Sequence, residues 1–194
     1  MTMNNKKFYA SYSILKLWQA KQWEDVVKYY FKLETFTTPA MTAGRDFHKQ
    51  WEQDIIKNRR LPDVFGGAHL NDPKPEQFFD CVVYDWLTLR GVIDCIDSPD
   101  IHEFKTGKQT AEHYAAEKQA GMYGVLCTMQ KIYVERAFIH HYDQYTKKVD
   151  TAMVWLTDKL LNDTMNWVVS LSGEIHQYFI DNQLYERYGK NRTR

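Results

Sequence analysis

Cysteine, net charge and long apolar runs are what this 194-residue sequence has least of. Its three cysteines, Cys81, Cys95 and Cys127, are odd in number and lack close CxxC spacing, which argues against a disulfide scaffold, a zinc ribbon and an iron–sulfur cluster. Because each lies in an apolar stretch, we expect buried free thiols in a reducing compartment, the cytoplasm. No apolar run approaches the roughly 20 residues of a membrane span, and the polar N-terminus lacks a signal sequence, so no membrane association is expected.

Basic and acidic side chains balance, with 25 Lys and Arg against 25 Asp and Glu. A protein that coats nucleic acid by bulk electrostatics would carry an excess of basic residues, so that class is disfavoured. Local basic contacts around a cleft remain compatible with the balance. The basic residues near the C-terminus, Arg187, Lys190, Arg192 and Arg194, are interpreted as a solvated end. The length and the hydrophobic content of 44% suit one domain over residues 1–194.

Apolar periodicity and turn residues predict an order of helices and strands. Helical spacing begins after Ser11 and is expected to continue to residue 33, and a second helix is expected over residues 45–57. Residues 35–44 and 58–75 are rich in turn formers and are expected to be links. The remaining predicted elements are strands over 79–84, 87–97 and 101–105, a helix over 111–129, strands over 131–142 and 151–156, and a helix over 158–182. This order favours an α/β fold with a central mixed sheet flanked by helices.

Two acidic residues and a lysine lie on the predicted strands that flank a turn at residues 98–100. Side chains alternate along a strand, so Glu103 and Lys105 share one face while Phe104 points to the other. Asp94 lies on the preceding strand, and antiparallel pairing across the turn would bring it near Glu103. We therefore expect two carboxylates and an amine to converge at one edge of the sheet.

These residue types suit one kind of chemistry, although each alone is common on exposed strands. Neighbouring carboxylates repel each other unless a cation lies between them. Oxygen ligands without thiolates favour Mg²⁺ or Mn²⁺ over zinc, and a water on such an ion can attack a phosphodiester. A lysine beside the metal can orient that water, help to deprotonate it or offset charge in the transition state. The pattern therefore indicates metal-dependent phosphodiester hydrolysis.

Five short motifs that include these residues follow one another along the chain. They are Ser11-Tyr12-Ser13-Ile14-Leu15, Gly44-Arg45-Asp46-Phe47-His48, Gly91-Val92-Ile93-Asp94, Glu103-Phe104-Lys105-Thr106-Gly107-Lys108 and Gln119-Ala120-Gly121-Met122-Tyr123. In this order they resemble the motifs of the PD-(D/E)XK nuclease superfamily, and within it the RecB-like exonuclease branch. The resemblance covers roughly residues 9–125 and implies a restriction-endonuclease-like core.

The resemblance implies a role for each matching residue of the central motifs. His48, Asp94, Glu103 and the main-chain carbonyl of Phe104 would be the metal ligands, with Mg²⁺ or Mn²⁺ as the cofactor. Lys105 would be the catalytic lysine, acting together with the two carboxylates.

Four further residues would support this site or touch the substrate. Gln119 and Tyr123, one helical turn apart, would support the site or contact DNA near the scissile phosphate. Thr106 and Lys108 would contact phosphates. The sequence departs from some relatives, which hold a four-cysteine iron–sulfur cluster: Ala20-Lys21 stands where the first cysteine would lie, and no cysteine follows Cys127. No iron–sulfur cluster is therefore expected.

The implied function is that of a divalent-metal-dependent deoxyribonuclease, an exonuclease in DNA recombination, repair or phage DNA processing. Its expected partners are single- or double-stranded DNA, together with a recombination partner protein or further copies of the chain in a homo-oligomer. The alternative is a non-catalytic DNA-binding or assembly subunit that keeps the nuclease fold. An RNA-directed or endonucleolytic enzyme of the same fold is a third hypothesis.

Three other histidines are not assigned to the site. His140 and His141 are neighbours on a predicted strand, so their side chains point to opposite faces and cannot easily bind one ion together. His102 precedes Glu103 and should face away from the site for the same reason.

Overall fold

A mixed sheet of six strands forms the centre of the protein in the computed structural model, which describes residues 6–34 and 38–189. The strands are β1 (Phe8–Ala10), β2 (Lys74–Tyr84), β3 (Leu87–Asp97), β4 (Asp100–Thr106), β5 (Arg136–Tyr142) and β6 (Val149–Trp155). Strand β3 pairs with β2 and β4 in antiparallel fashion and with β1 in parallel. Strand β5 lies parallel to β4, and β6 is antiparallel to β5.

Helices flank this sheet. They are α1 (Tyr12–Gln19), α2 (Trp23–Tyr30), α3 (Pro39–Asn58), α4 (Ala111–Ala115), α5 (Gln119–Met129), α6 (Asp158–Asp181) and α7 (Leu184–Tyr188), with a 3₁₀ turn at Asp63–Phe65. The predicted α/β fold, a central mixed sheet flanked by helices, is confirmed. Within the described residues, no helix combines the length and the apolar character that crossing a membrane requires.

Two hydrophobic cores hold the helices against the sheet. The larger core includes buried residues of α1, α2, α5, α6 and α7 together with residues of the strands. The smaller core lies under α3, where Trp51 and Ile55 pack with Phe104 and Cys95. Strand β4 thus presents Phe104 to α3, while its neighbours Glu103 and Lys105 bond to residues of α5. Cys81, Cys95 and Cys127 are all buried and free, as expected.

The single helix predicted from Ser11 to residue 33 is wrong. The chain instead forms α1 and α2, with strand β1 before them. Between the helices Lys21 has a φ of 59°, and its N–H donates to the carbonyl of Trp18 at 2.8 Å. The left-handed residue that ends a helix is usually glycine, so a lysine at this position does not indicate a helix end in the sequence.

Helix α3 begins earlier than predicted. The predicted link over residues 35–44 is wrong from Pro39 onward, because the Thr38 hydroxyl accepts a hydrogen bond from the Met41 N–H at 3.2 Å and Pro39 occupies the first helical position. Residues 35–37 of that predicted link lie outside the described residues. So do Lys190, Arg192 and Arg194 of the predicted basic end.

Several other element boundaries also differ from the prediction. The helix predicted over residues 111–129 is divided into α4 and α5, and its break includes Glu117, whose carboxylate accepts a hydrogen bond from the Tyr12 hydroxyl at 2.6 Å. Strand β2 begins at Lys74, inside the predicted loop, and β5 begins at Arg136, five residues later than predicted. Helix α7 was not predicted. These boundaries depend on contacts between distant parts of the chain, which periodicity does not report.

A buried pair of histidines joins β4 to β5 away from the candidate acids. His102 Nδ1 and His140 Nε2 are 3.0 Å apart, and His140 Nδ1 is 3.2 Å from the Thr151 hydroxyl. His141 faces the other way and contacts Asp150 at 2.6 Å, so the predicted opposite orientation of the two neighbours is confirmed. Burial lowers the pKa of His140 to about 3, and burial also lowers the pKa of His102.

This pair predicts a loss of stability in mild acid. An unfolded histidine gains its proton as the pH falls through about 6.5, whereas folded His140 stays neutral until about 3, so unfolding becomes more favourable throughout that window. From about pH 7 to about pH 5 we expect His140 alone to cost about 2 kcal/mol of unfolding free energy. Urea unfolding at the two pH values measures this.

The matched comparison is between His140→Phe, which keeps an aromatic ring among Phe65, Phe104 and Phe138, and His69→Gln, which changes an exposed histidine. The first variant should lose less stability on acidification than the parent, and the second should behave as the parent does. An equal acid loss in His140→Phe and the parent would contradict the assignment.

Candidate functional site

Strands β3 and β4 separate at the point where the predicted acids lie. Their ladder pairs Cys95 with His102, and the next residues toward the open end are Asp94 and Glu103. At this point a side chain bonds to the neighbouring strand: the Asp94 carboxylate accepts a hydrogen bond from the Phe104 N–H at 2.8 Å. The antiparallel pairing across the turn that was expected to bring the two carboxylates together is present.

Glu103 belongs to a closed network of polar side chains. Its Oε1 atom accepts hydrogen bonds from Lys105 Nζ at 2.6 Å and from Gln119 Nε2 at 3.0 Å. Gln119 Oε1 also accepts from Lys105 Nζ, at 2.8 Å, and the Tyr123 hydroxyl lies 3.4 Å from Glu103 Oε1. The structure therefore brings together four of the predicted site residues, two from β4 and two from one face of α5.

The second oxygen of Glu103 has no such partner. Glu103 is only 3% exposed, and its Oε2 atom is buried without a hydrogen-bond partner among the described residues. Burial, and then the nearby Asp94 carboxylate, raise the pKa of Glu103 to about 7, although Lys105 acts in the opposite direction. A buried carboxylate oxygen without a donor, next to a second carboxylate, is an arrangement that a hard cation would satisfy.

Lys105 remains positively charged in this environment. Burial alone lowers the pKa of the amine, but the Glu103 carboxylate outweighs burial and the net pKa is raised. A charged lysine suits the stabilisation of negative charge better than the removal of a proton.

His48 reaches the site from α3. Its Nδ1 atom is 3.6 Å from Asp94 Oδ2. Burial lowers the pKa of His48, but the interaction with Asp94 outweighs burial, so the net pKa is raised. The other predicted ligand is the main-chain carbonyl of Phe104. The Phe104 N–H donates to Asp94, and the centre of the Phe104 ring lies 5.6 Å from that of Trp51.

The predicted ligands are near one another but are not assembled as a ligand set. Among residues 6–34 and 38–189, no group of three or more His, Cys, Asp or Glu side chains is arranged to hold a metal ion. In the structure these groups pair with neighbours: His48 with Asp94, and Glu103 with Lys105. Opposite charges that are buried together form such pairs.

Thr106 and Lys108 lie at the end of β4 and just beyond it. Both border the same cleft as His48. Thr106 packs against Gly44 of α3, where an added Cβ would lie 2.8 Å from the threonine hydroxyl. Lys108 Nζ lies 5.6 Å from the centre of the Tyr145 ring. Neither residue belongs to the Glu103 network, and their phosphate contacts stay a prediction.

Two acidic residues near the site were not predicted. Glu76 of β2 has a φ of 48°, and burial, Asp94 and Glu52 raise its pKa. Glu52 lies one turn beyond His48 on α3 and borders the same cleft. Helical spacing from His48 could have indicated Glu52. No local signal marked Glu76, which precedes the predicted start of this strand at residue 79.

The chain has the fold of solved exonuclease structures. An alkaline exonuclease (LHK-Exo) from Laribacter hongkongensis is 10% identical and superposes over 96% of this chain and 94% of its own, with a TM-score of 0.57. A candidate exonuclease from Eubacterium rectale is 13% identical over 91% of this chain and 82% of its own, with a TM-score of 0.59. No family model matches the sequence, and no curated protein matches it significantly. The likeness to these two structures is one of fold.

Gly44 offers a test of how α3 is positioned. Gly44→Ala would place a methyl group against the hydroxyl of Thr106, and we expect it to cost about 1–3 kcal/mol of unfolding free energy. Adding Thr106→Ala should restore most of this stability, because the Thr106 Cβ is 4.0 Å from the added carbon. Denaturant unfolding of both variants gives the answer.

The control is Gly173→Ala in α6, where an added Cβ meets nothing within 4 Å. Helix propensity alone should make this change neutral or stabilising by about 0.5–1 kcal/mol. If Gly44→Ala changes the free energy of unfolding as little as this control does, Gly44 is not needed for the close packing of α3 on Thr106.

Proposed function

We propose that this protein is a divalent-metal-dependent deoxyribonuclease that hydrolyses phosphodiester bonds, and that it acts as an exonuclease. The observation that carries the proposal is the buried Glu103 carboxylate. One of its oxygens accepts from Lys105, Gln119 and Tyr123, and the other has no donor in the described part of the chain. The fold shared with solved exonucleases supports the same class.

Mg²⁺ or Mn²⁺ is the proposed cofactor, without an iron–sulfur cluster. Asp94 and Glu103 would hold the ion, together with His48 and the main-chain carbonyl of Phe104. When bound, such an ion lowers the pKa of a coordinated water and stabilises negative charge on a phosphate. The unpartnered Glu103 oxygen and the absence of thiolates among these residues fit a hard cation.

The side chains around the carboxylates have separate tasks in this proposal. Lys105 orients the attacking water or offsets charge on the phosphate, because its amine is charged and largely buried. Gln119 holds that amine through its carbonyl oxygen and holds Glu103 through its amide, so it fixes the distance between the two. Tyr123 supports Gln119, and Thr106 and Lys108 contact phosphates of the substrate.

The biological setting follows from the same proposal. The substrate is DNA, and the reaction belongs to DNA recombination, repair or phage DNA processing in the cytoplasm. A partner protein or a homo-oligomer supplies part of the affinity for DNA, because a chain of zero net charge has little overall electrostatic attraction for phosphate. The three buried free thiols are in keeping with a reducing compartment.

Removing the lysine charge tests the chemistry. Lys105→Met keeps most of the apolar stem and removes the amine, so cleavage should fall by at least about 100-fold. End-labelled linear DNA and circular DNA, each single- and double-stranded, are incubated in Mg²⁺ or Mn²⁺ with EDTA as the control. Cleavage confined to linear DNA indicates an exonuclease.

Lys159→Met is the matched control, because Lys159 is highly exposed and forms a surface ion pair with Asp163. It should cleave as the parent does. Unchanged cleavage by Lys105→Met would refute the assigned role. If the parent protein binds DNA but cleaves none of the four substrates and shows no binding of Mn²⁺, the result would favour the alternative, a non-catalytic DNA-binding subunit.

Metal binding is tested without a cleavage assay. Mn²⁺ in excess of its dissociation constant should raise the thermal midpoint of the parent, since a ligand that binds only the folded state stabilises it. Asp94→Asn should abolish most of this shift, because a neutral amide is a poorer ligand for a hard cation. Asp163→Asn, on the exposed face of α6, should retain it.

Thermal scans of the three proteins, each with and without Mn²⁺, measure the shifts. If Mn²⁺ raises the thermal midpoint equally in Asp94→Asn and in Asp163→Asn, the ion binds away from Asp94 or binds without specificity.

A further inference from the structure

A cleft borders the candidate site at His48. Its volume is about 1400 Å³, and His48, Glu76 and Thr106 are among the residues that line it. Pockets that hold one small molecule usually measure roughly 300–1000 Å³. Its size and its position beside His48 suit a ligand larger than one small molecule.

Basic side chains also border the cleft. Arg45 and Lys49 lie one helical turn apart on α3, three residues before His48 and one after it. Neither forms an ion pair with another described residue. Lys28 of α2 borders the cleft as well and pairs with Glu34 at 3.1 Å. Cations without internal partners are available to phosphate groups.

Two exposed tyrosines also border the cleft. Tyr29 of α2 is 54% exposed, and Tyr145, between β5 and β6, is 67% exposed. Lys108 Nζ lies 5.6 Å from the centre of the Tyr145 ring, so one wall presents a cation and an aromatic face together. Aromatic rings between basic side chains form the pattern with which proteins hold single strands of nucleic acid.

We propose that this cleft binds single-stranded DNA and guides it to the site. Tyr29 and Tyr145 stack on unpaired bases, while Arg45, Lys49 and Lys108 contact phosphates. Bases inside a duplex are covered on both faces by their neighbours, so exposed rings in a groove can stack only on unpaired bases. This inference rests on the proposed function and names its substrate class.

The test measures binding separately from cleavage. Fluorescence anisotropy in EDTA compares a labelled single-stranded oligonucleotide with the same strand in a duplex, for the full chain. The parent should bind the single strand more tightly. Tyr29→Ala and Tyr145→Ala should each weaken single-strand binding by about 5- to 100-fold, the loss expected for one stacked base. Tyr133→Ala is the control, because Tyr133 is 65% exposed outside the cleft, and it should bind as the parent does.

Each outcome decides one proposal. Equal affinity for the two DNA forms, no binding of the single strand, or tyrosine variants that bind like Tyr133→Ala would overturn the single-strand cleft. Cleavage in Mg²⁺ that is lost in Lys105→Met would nevertheless uphold the nuclease proposal. Conversely, tyrosine-dependent binding of the single strand without metal-dependent cleavage would uphold the cleft and overturn the nuclease.

Discussion

The buried ion pair between Glu103 and Lys105 is the constraint on which the site depends. Burying a charge costs several kcal/mol unless a partner and further hydrogen bonds satisfy it. Here the partner is two residues away on β4, and the further bonds come from Gln119 and Tyr123 of α5. The pair therefore requires α5 to lie directly against the sheet. That requirement connects the chemistry of the site to the packing of the fold.

Two motif glycines allow the close approach that this packing needs. A Cβ on Gly91 would lie 2.7 Å from Leu126 Cδ1 and 3.6 Å from the Tyr123 ring, so a larger residue there would force Leu126 or α5 to shift away from β3. Gly44 has the same function for α3, which approaches the end of β4 at Thr106 and presents His48 one turn later. The glycines of the motifs are thus packing positions that place the tyrosine and the histidine beside the carboxylates.

The parts of the structure that sequence reasoning predicted well are those set by local rules. Strands β3 and β4 are joined by a tight turn and alternate with period two, so the positions of Asp94, Glu103 and Lys105 follow from the sequence. The helix breaks at Lys21 and at Glu117 do not. The second break is held by Tyr12, 105 residues away in the chain, and neither break carries a glycine or proline signal. Glu76 was missed for a similar reason, since its left-handed conformation lies within a strand whose start depends on pairing with β3.

The distribution of charge along the cleft connects cation binding to substrate binding. Glu52 and Glu76 are acidic residues of the cleft, and Asp94 is close enough to raise the pKa of Glu76, whereas Arg45 and Lys49 of α3 are basic residues of the same cleft. A phosphate held by these basic residues would also lie near carboxylates, and like charges repel strongly in a partly buried site. In the proposed function, a divalent cation would offset this repulsion by balancing the acids. It would then ease the approach of the reacting phosphate as well as promote the reaction, and basic residues beside the acids would let a chain without net charge bind a polyanion.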